Sequence, residues 1–271
     1  MKVLRGGPAP LALGALASLS FNTVMPIYDK PVRILIRDMA QELAPALGHV
    51  FTKDDALAWF AAKYPKIKEG TISAHLIRFS TNAASRLHYS VKVDEDLLFQ
   101  VDGGSFRLYD PSNDPAPIHA RSDVITTPVV RESVSEELAN EFAYESDLRD
   151  FLARNLSLLE PGLQLYQDEG IAGIEFPAGG RFIDILALDS NRNLVVIELK
   201  VSKGYDRVVG QLLRYMAWIQ KHQAEPDQQV RGMIAAREIS EDLRLACSYV
   251  PNVSLFEYEL SVTLRKVTLD P

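Results

Sequence analysis

A single cysteine, Cys247, stands among 271 residues. It excludes an intramolecular disulfide and any cysteine-based metal cluster, and it suits a reducing cytoplasm. Excess positive charge is also lacking: 29 Lys plus Arg stand against 36 Asp plus Glu, a formal net charge of −7. A sequence-independent coat for DNA would be basic, so that class is excluded, whereas an enzyme acting locally on DNA is not. No apolar run is long enough to cross a bilayer; Ala9 to Phe21 is both short and interrupted. No membrane partner is expected. Internal repeats and low-complexity tracts are absent. What is present, 47% hydrophobic and 24% charged residues, is an ordinary soluble globular composition with room for one large or two ordinary domains.

Lys2 and Arg5 precede the Ala9–Phe21 stretch, an arrangement like a weak signal peptide. Met25 stands just before the first well-patterned segment. The expectation is that residues 1–25 are a disordered leader, or a start placed too far upstream, rather than an export signal.

Residues 181–200 are the most informative stretch. Two apolar runs flank Ser190-Asn191-Arg192-Asn193, a strong turn cluster, and read as a β-hairpin. The first strand carries Asp184; the second ends in Glu198-Leu199-Lys200. Alternation puts Glu198 and Lys200 on one face, and the hairpin brings Asp184 beside them. A lone Glu-x-Lys is usually a solvated strand face with a surface ion pair. Here Val195, Val196, Ile197 and Leu199 make the strand look buried on both sides, as in a central strand. Buried acids are costly without a partner, and a hard divalent cation is a reason to keep two of them. Beyond a loop containing Lys203, Asp206 is a plausible cap for a helix from Arg207 to His222. Gln211 and Tyr215 lie four residues apart on a face that the preceding strand places near the acids.

This pattern resembles the PD-(D/E)xK nuclease superfamily, and within it the catalytic domain of NucS-type, mismatch-specific endonucleases. The resemblance rests on Asp184, thirteen residues, Glu198-Leu199-Lys200, ten more, then Gln211-Leu-Leu-Arg-Tyr215. Upstream, Glu145-Ser-Asp-Leu-Arg-Asp-Phe-Leu-Ala-Arg-Asn155 resembles the family's opening, glutamate-bearing helix. The likeness covers residues 138–271. It implies a restriction-endonuclease-like, mixed-sheet α/β domain that cuts DNA with Mg²⁺, Mn²⁺ substituting. Asp184, Glu198 and the Leu199 carbonyl would be metal ligands, with Lys200, Gln211, Tyr215 and Glu145 completing the catalytic set. The family's β-rich N-terminal module and its clamp-binding tail are not evident here, so mismatch repair does not carry over. Restriction of foreign or modified DNA, or another repair role, is the expectation, with a non-catalytic DNA-binding regulator as the alternative.

Residues 26–112 carry eleven basic and eleven acidic side chains, so this half is neutral while residues 138–271 are net acidic. The pattern predicts helices over 31–47 and 53–63, a third from Thr71 to about Ala84, and a hairpin turning at Asp102-Gly103-Gly104. Thr52-Lys-Asp-Asp55 fits a capping box. Three helices and a terminal hairpin suggest a winged helix-turn-helix, similar to those fused to bacterial restriction-type nucleases. The third helix would then read DNA with Lys66, Lys68, Thr71, Ser73, His75, Arg78, Asn82 and Arg86, joined by Lys203 from the other half. The alternative is a solvated helix in a protein-interaction module. Residues 113–137 read as an acidic, proline-bearing linker. A homodimer is expected, because one metal site per chain cuts one strand and duplex DNA has two.

Overall fold

A computed structural model describes residues 28–89, 91–119, 136–200 and 206–259. The leader, most of the linker and Lys203 lie outside these residues.

The N-terminal half runs α1 (Val32–Leu43), β1 (Val50–Thr52), α2 (Lys53–Lys63), α3 (Glu69–Phe79), β2 (Leu98–Gln100) and β3 (Ser105–Leu108). The strands form one antiparallel sheet in the order β1-β3-β2. The helix starting at 53 owes its start to the expected capping box. Thr52 Oγ accepts from the Asp55 amide at 3.1 Å, and the Asp55 carboxylate accepts from the Thr52 amide at 2.8 Å. The first helix ends at Leu43 rather than Leu47, because Ala44 precedes Pro45 and that position is pushed out of helical geometry. The third helix begins two residues earlier than expected and stops at Phe79. Ser80 leaves it to bridge Leu98 of β2, and a separate 3-10 segment, Ala84–Tyr89, follows. Leu35, Ile36, Met39, Phe60, Ile72, Leu76, Phe79, Leu98 and Phe106 form the core of this half.

The second half opens with α4 (Glu136–Arg154). Four strands follow: β4 (Gln164–Leu165), β5 (Gln167–Asp168), β6 (Ile171–Ala172) and β7 (Ile174–Ala178). Then come β8 (Arg181–Leu188), β9 (Leu194–Lys200), α5 (Asp206–His222), β10 (Val230–Ala236), α6 (Glu241–Ser248) and β11 (Val253–Glu257). The main sheet runs β11-β10-β9-β8, with β4 and β7 sharing the outer edge of β8. The β8–β9 hairpin is antiparallel, while β9, β10 and β11 are parallel. β9 is central and buried on both faces: Leu194 and Val196 face α5, and Val195, Ile197 and Leu199 face α4. The fold is therefore mixed α/β with a helical N-terminal region, as the sequence suggests.

One expectation is corrected. The third helix is not presented to solvent but packed against the second half. Ala74, Ile77, Ala83 and Tyr89 share one hydrophobic cluster with Ile171, Phe176, Ile183 and Leu212. Gly70 lies close against the second half, since a Cβ there would stand 2.8 Å from the Phe176 ring and 2.4 Å from Gln223 Oε1. Polar ties cross the same boundary: Lys68 Nζ donates to the Gln223 carbonyl at 2.6 Å, and Arg78 Nη1 donates to the Gly170 carbonyl at 2.8 Å.

Candidate active site

The hairpin register builds the site. β8 and β9 are paired from Leu188↔Leu194 to Ile185↔Ile197, and the ladder ends there. The next residues across from one another are Asp184 and Glu198, which directly opposed antiparallel positions place on one face. The ladder to β7 also skips Asp184, passing from Ile174↔Ile185 to Phe176↔Ile183. Asp184 thus sits where both neighbouring strands let go, and its side chain takes over the lost backbone pairing: Oδ2 accepts from the Leu199 amide at 2.8 Å.

Glu198 is fully buried. Its Oε2 accepts from Gln211 Nε2 at 2.7 Å, while Oε1 is buried without a hydrogen-bond partner. Burial raises the Glu198 carboxyl, and the negative charge of Asp184 raises it further. Asp184 is likewise raised by burial and by Glu145, against the opposing pull of the Leu199 amide. Lys200 continues the Glu198 face, and its Nζ lies 3.9 Å from Glu145 Oε1 on α4. Its positive charge works against the rise of both acids. Tyr215, one turn beyond Gln211, is 2% exposed; burial and then the charge of Glu198 raise its phenol. The structure therefore brings Asp184, Glu198, Lys200, Glu145, Gln211 and Tyr215 close enough to act on one another.

Among the described residues no three His, Cys, Asp or Glu side chains form a ready cation cage. The donor set still fits a hard divalent ion, which commonly takes one or two carboxylates and keeps several waters. An unpartnered, buried oxygen on Glu198 beside a second, half-buried acid is what such an ion would satisfy.

The sequence reading overlooked two residues. Arg149 lies on α4 four residues after Glu145, the spacing that puts both on one helical face. It is buried, and its Nη1 donates to Glu175 Oε1 at 2.6 Å. Glu175 sits in β7 at the position the ladder skips, with φ 46. The i, i+4 spacing is the signal that would have found Arg149; nothing local marks Glu175.

The expected DNA-reading set fares differently. Thr71, Ser73, His75, Arg78 and Arg86 are buried, so they are corrected as DNA contacts. Thr71 donates to Asp168, Arg78 pairs with Glu95 at 2.8 Å, and Arg86 pairs with Asp96 at 2.6 Å. Lys68 is engaged by Glu225 at 2.6 Å. Lys66 and Asn82 are exposed, although Asn82 spends its amide on the Gln100 backbone.

Residues 144–248 match the family model of the endonuclease NucS C-terminal domain, and residues 31–108 match a domain of unknown function (DUF7669). The chain is 30% identical over 205 residues to endonuclease NucS of Micrococcus luteus, a match spanning 65% of this chain and 82% of that one. The chain belongs to the endonuclease NucS family. The NucS of Kocuria rhizophila is 27% identical over the same shares. Among solved structures, a repair endonuclease from Pyrococcus abyssi aligns at TM-score 0.36 and 22% identity, covering 48% of this chain and 50% of that one. An EndoMS–dsDNA complex aligns at TM-score 0.36 and 19% identity, covering 59% and 53%. The chain thus spans about half the length of these solved chains. Its N-terminal half matches a separate family model from its NucS half.

Proposed function

We propose that this NucS-family chain is a Mg²⁺-dependent DNA endonuclease that hydrolyses phosphodiester bonds in repair or in restriction of foreign or modified DNA. The observation that carries the reading is the pairing of half-buried Asp184 with fully buried Glu198 at the splayed end of β8 and β9, with one Glu198 oxygen left unpartnered. Asp184, Glu198 and the Leu199 carbonyl would hold the cation, with Mn²⁺ able to substitute. When bound, it supplies charge stabilisation at a phosphoryl oxygen and acidifies a water. Lys200, as an ammonium, would donate to and orient the attacking water and offset the negative charge that develops on the phosphoryl group. Glu145 holds the Lys200 ammonium in place and can order further waters. Gln211 fixes Glu198 in one rotamer through its amide, and Tyr215 walls that side of the site against bulk water.

The order α1-β1-α2-α3-β2-β3 with its three-stranded antiparallel sheet supports a winged-helix reading of the N-terminal half. With α3 buried, its duplex-facing surface would be the β2–β3 wing and the Lys66 turn rather than α3. A regulator that reads DNA through α3 loses its reading surface in this arrangement. Two copies would cut both strands, and Phe151 on α4, 49% exposed, is the apolar surface we assign to their contact.

The test is cleavage of supercoiled and linear DNA in Mg²⁺, Mn²⁺ or chelator. Cutting in Mg²⁺ that disappears in chelator, and in Asp184→Asn and Glu198→Gln, is the expected result. Equal cutting in chelator would sink the metal mechanism.

A further inference from the structure

The 3-10 segment Ala84–Tyr89 belongs to the N-terminal half, yet three of its side chains converge on one residue of the nuclease sheet. Ser85 Oγ donates to Glu175 Oε2, His88 Nε2 lies 3.5 Å from the same oxygen, and the Tyr89 hydroxyl donates to the Glu175 carbonyl at 3.5 Å. The other carboxylate oxygen, Oε1, accepts from Arg149 Nη1 at 2.6 Å. Glu175 holds φ 46, a left-handed conformation that is unfavourable for a non-glycine residue and persists only where surrounding contacts impose it. It is also the residue of β7 that stands across the interrupted ladder from Asp184. Arg149 is buried on α4, four residues after Glu145, and its charge acts on Asp184.

We propose that Glu175 is a positioning residue that transmits the seating of the N-terminal half to the nuclease site, through Arg149 and helix α4. One oxygen of its carboxylate is held by the N-terminal half and the other holds the helix that carries Glu145. Glu145 in turn faces Lys200 at 3.9 Å. If the 3-10 segment is unseated, the Glu175 carboxylate loses its fixed direction, Arg149 loses its anchor, and the Glu145–Lys200 contact loosens. Chemistry would thus depend on how the two halves sit together, although among the described residues no N-terminal side chain is bonded to Asp184, Glu198 or Lys200. This rests on the nuclease reading above for its functional meaning, but the mechanical link is a separate claim.

Two readouts keep them apart. Amide hydrogen exchange on the full chain should show Asp147–Arg154 of α4 exchanging several-fold faster in Glu175→Gln and in Ser85→Ala, with α1 and α2 unchanged. In cleavage assays both variants should lower kcat, Glu175→Gln by about tenfold or more, with KM for DNA little moved, because the two side chains are spent on each other. Arg149→Lys, which keeps a cation, should retain more kcat than Arg149→Met, and Ser85→Ala should add little to Glu175→Gln because both act on one link. Unchanged α4 exchange in Glu175→Gln would overturn the proposal whether or not the protein cuts DNA. Faster α4 exchange in Glu175→Gln, alongside a wild type that cuts no DNA in any metal, would leave the link standing and sink the nuclease reading instead. A fall in kcat that Ser85→Ala and Glu175→Gln contribute independently would also overturn it.

Discussion

Asp184 and Glu198 both carry carboxyls raised above their ordinary range, chiefly by burial. An acid whose folded value is raised gives stability that is whole below its unfolded value and is lost as pH climbs through the folded one. The metal-free protein should therefore melt at lower temperature at about pH 8 than at about pH 5 on account of this pair. Asp184→Asn and Glu198→Gln remove the cost of the buried charge. Each should stabilise the metal-free chain at the higher pH by roughly 1–3 kcal/mol while abolishing cleavage. Added Mg²⁺ should raise the wild-type melting temperature more at the higher pH, since it offsets the repulsion only when the acids are ionised. A wild-type melting temperature independent of pH across that span, or variants that melt like wild type, would mean the pair is not strained. Lys200→Ala, by contrast, should lower cleavage roughly 10²- to 10³-fold and leave most of the cation affinity, because Lys200 ligates nothing. Titration of Mn²⁺ into that variant checks the second half of the statement. These acids and the lysine were legible in the sequence because a hairpin and strand alternation fix them with two short-range rules.

Helix α3 shows where such rules stop. Its polar residues, Thr71, Ser73, His75 and Arg78, look like an exposed reading face when the helix is considered alone. All four are instead buried, two of them bonded to residues some ninety positions downstream, Asp168 and Gly170. Local periodicity records that a side chain is polar; it cannot record which distant surface will satisfy it. The strands β6 and β7 escaped notice for a related reason, being short, interrupted by Gly173 and Pro177, and bent at Glu175. Burial of α3 has a pH signature opposite to that of the acids. Burial lowers His75 to about 4, so it folds neutral, and its contribution is present above the ordinary histidine value and lost as pH falls toward 4. Acid should cost this helix's packing a few kcal/mol between about pH 6.5 and about pH 4. The effect should vanish in a His75→Leu variant, as read by melting curves over that range. A His75→Leu chain that keeps the full acid lability would show that another group is responsible. Ser73→Ala is the matching control: its hydroxyl has no partner, so neither stability nor DNA affinity should fall.

At the scale of the whole molecule, the two halves are continuous in their packing. Ala74, Ile77 and Tyr89 of the first half lie in one cluster with Phe176, Leu212 and Ile219 of the second, and Lys68, Arg78, Ser85 and Thr71 add polar ties. A fragment of residues 28–112 would expose that apolar face, and the nuclease half would lose one wall of its core. The acidic, proline-bearing linker over residues 113–137 remains the place where a protease should cut first. Cutting there should not release two domains. The nicked chain should elute as one particle and unfold in a single transition near that of the intact protein. Gly70→Ala supplies the complementary test, because its new methyl has to push into the Phe176 ring and Gln223 across the boundary. Overpacking of this kind costs about 1–3 kcal/mol. The loss should appear as a lower single transition in the intact chain and as dissociation of the nicked one. Two halves that separate on nicking in the wild type, each retaining its own melting transition, would show that the shared cluster contributes little and that the modules are autonomous after all.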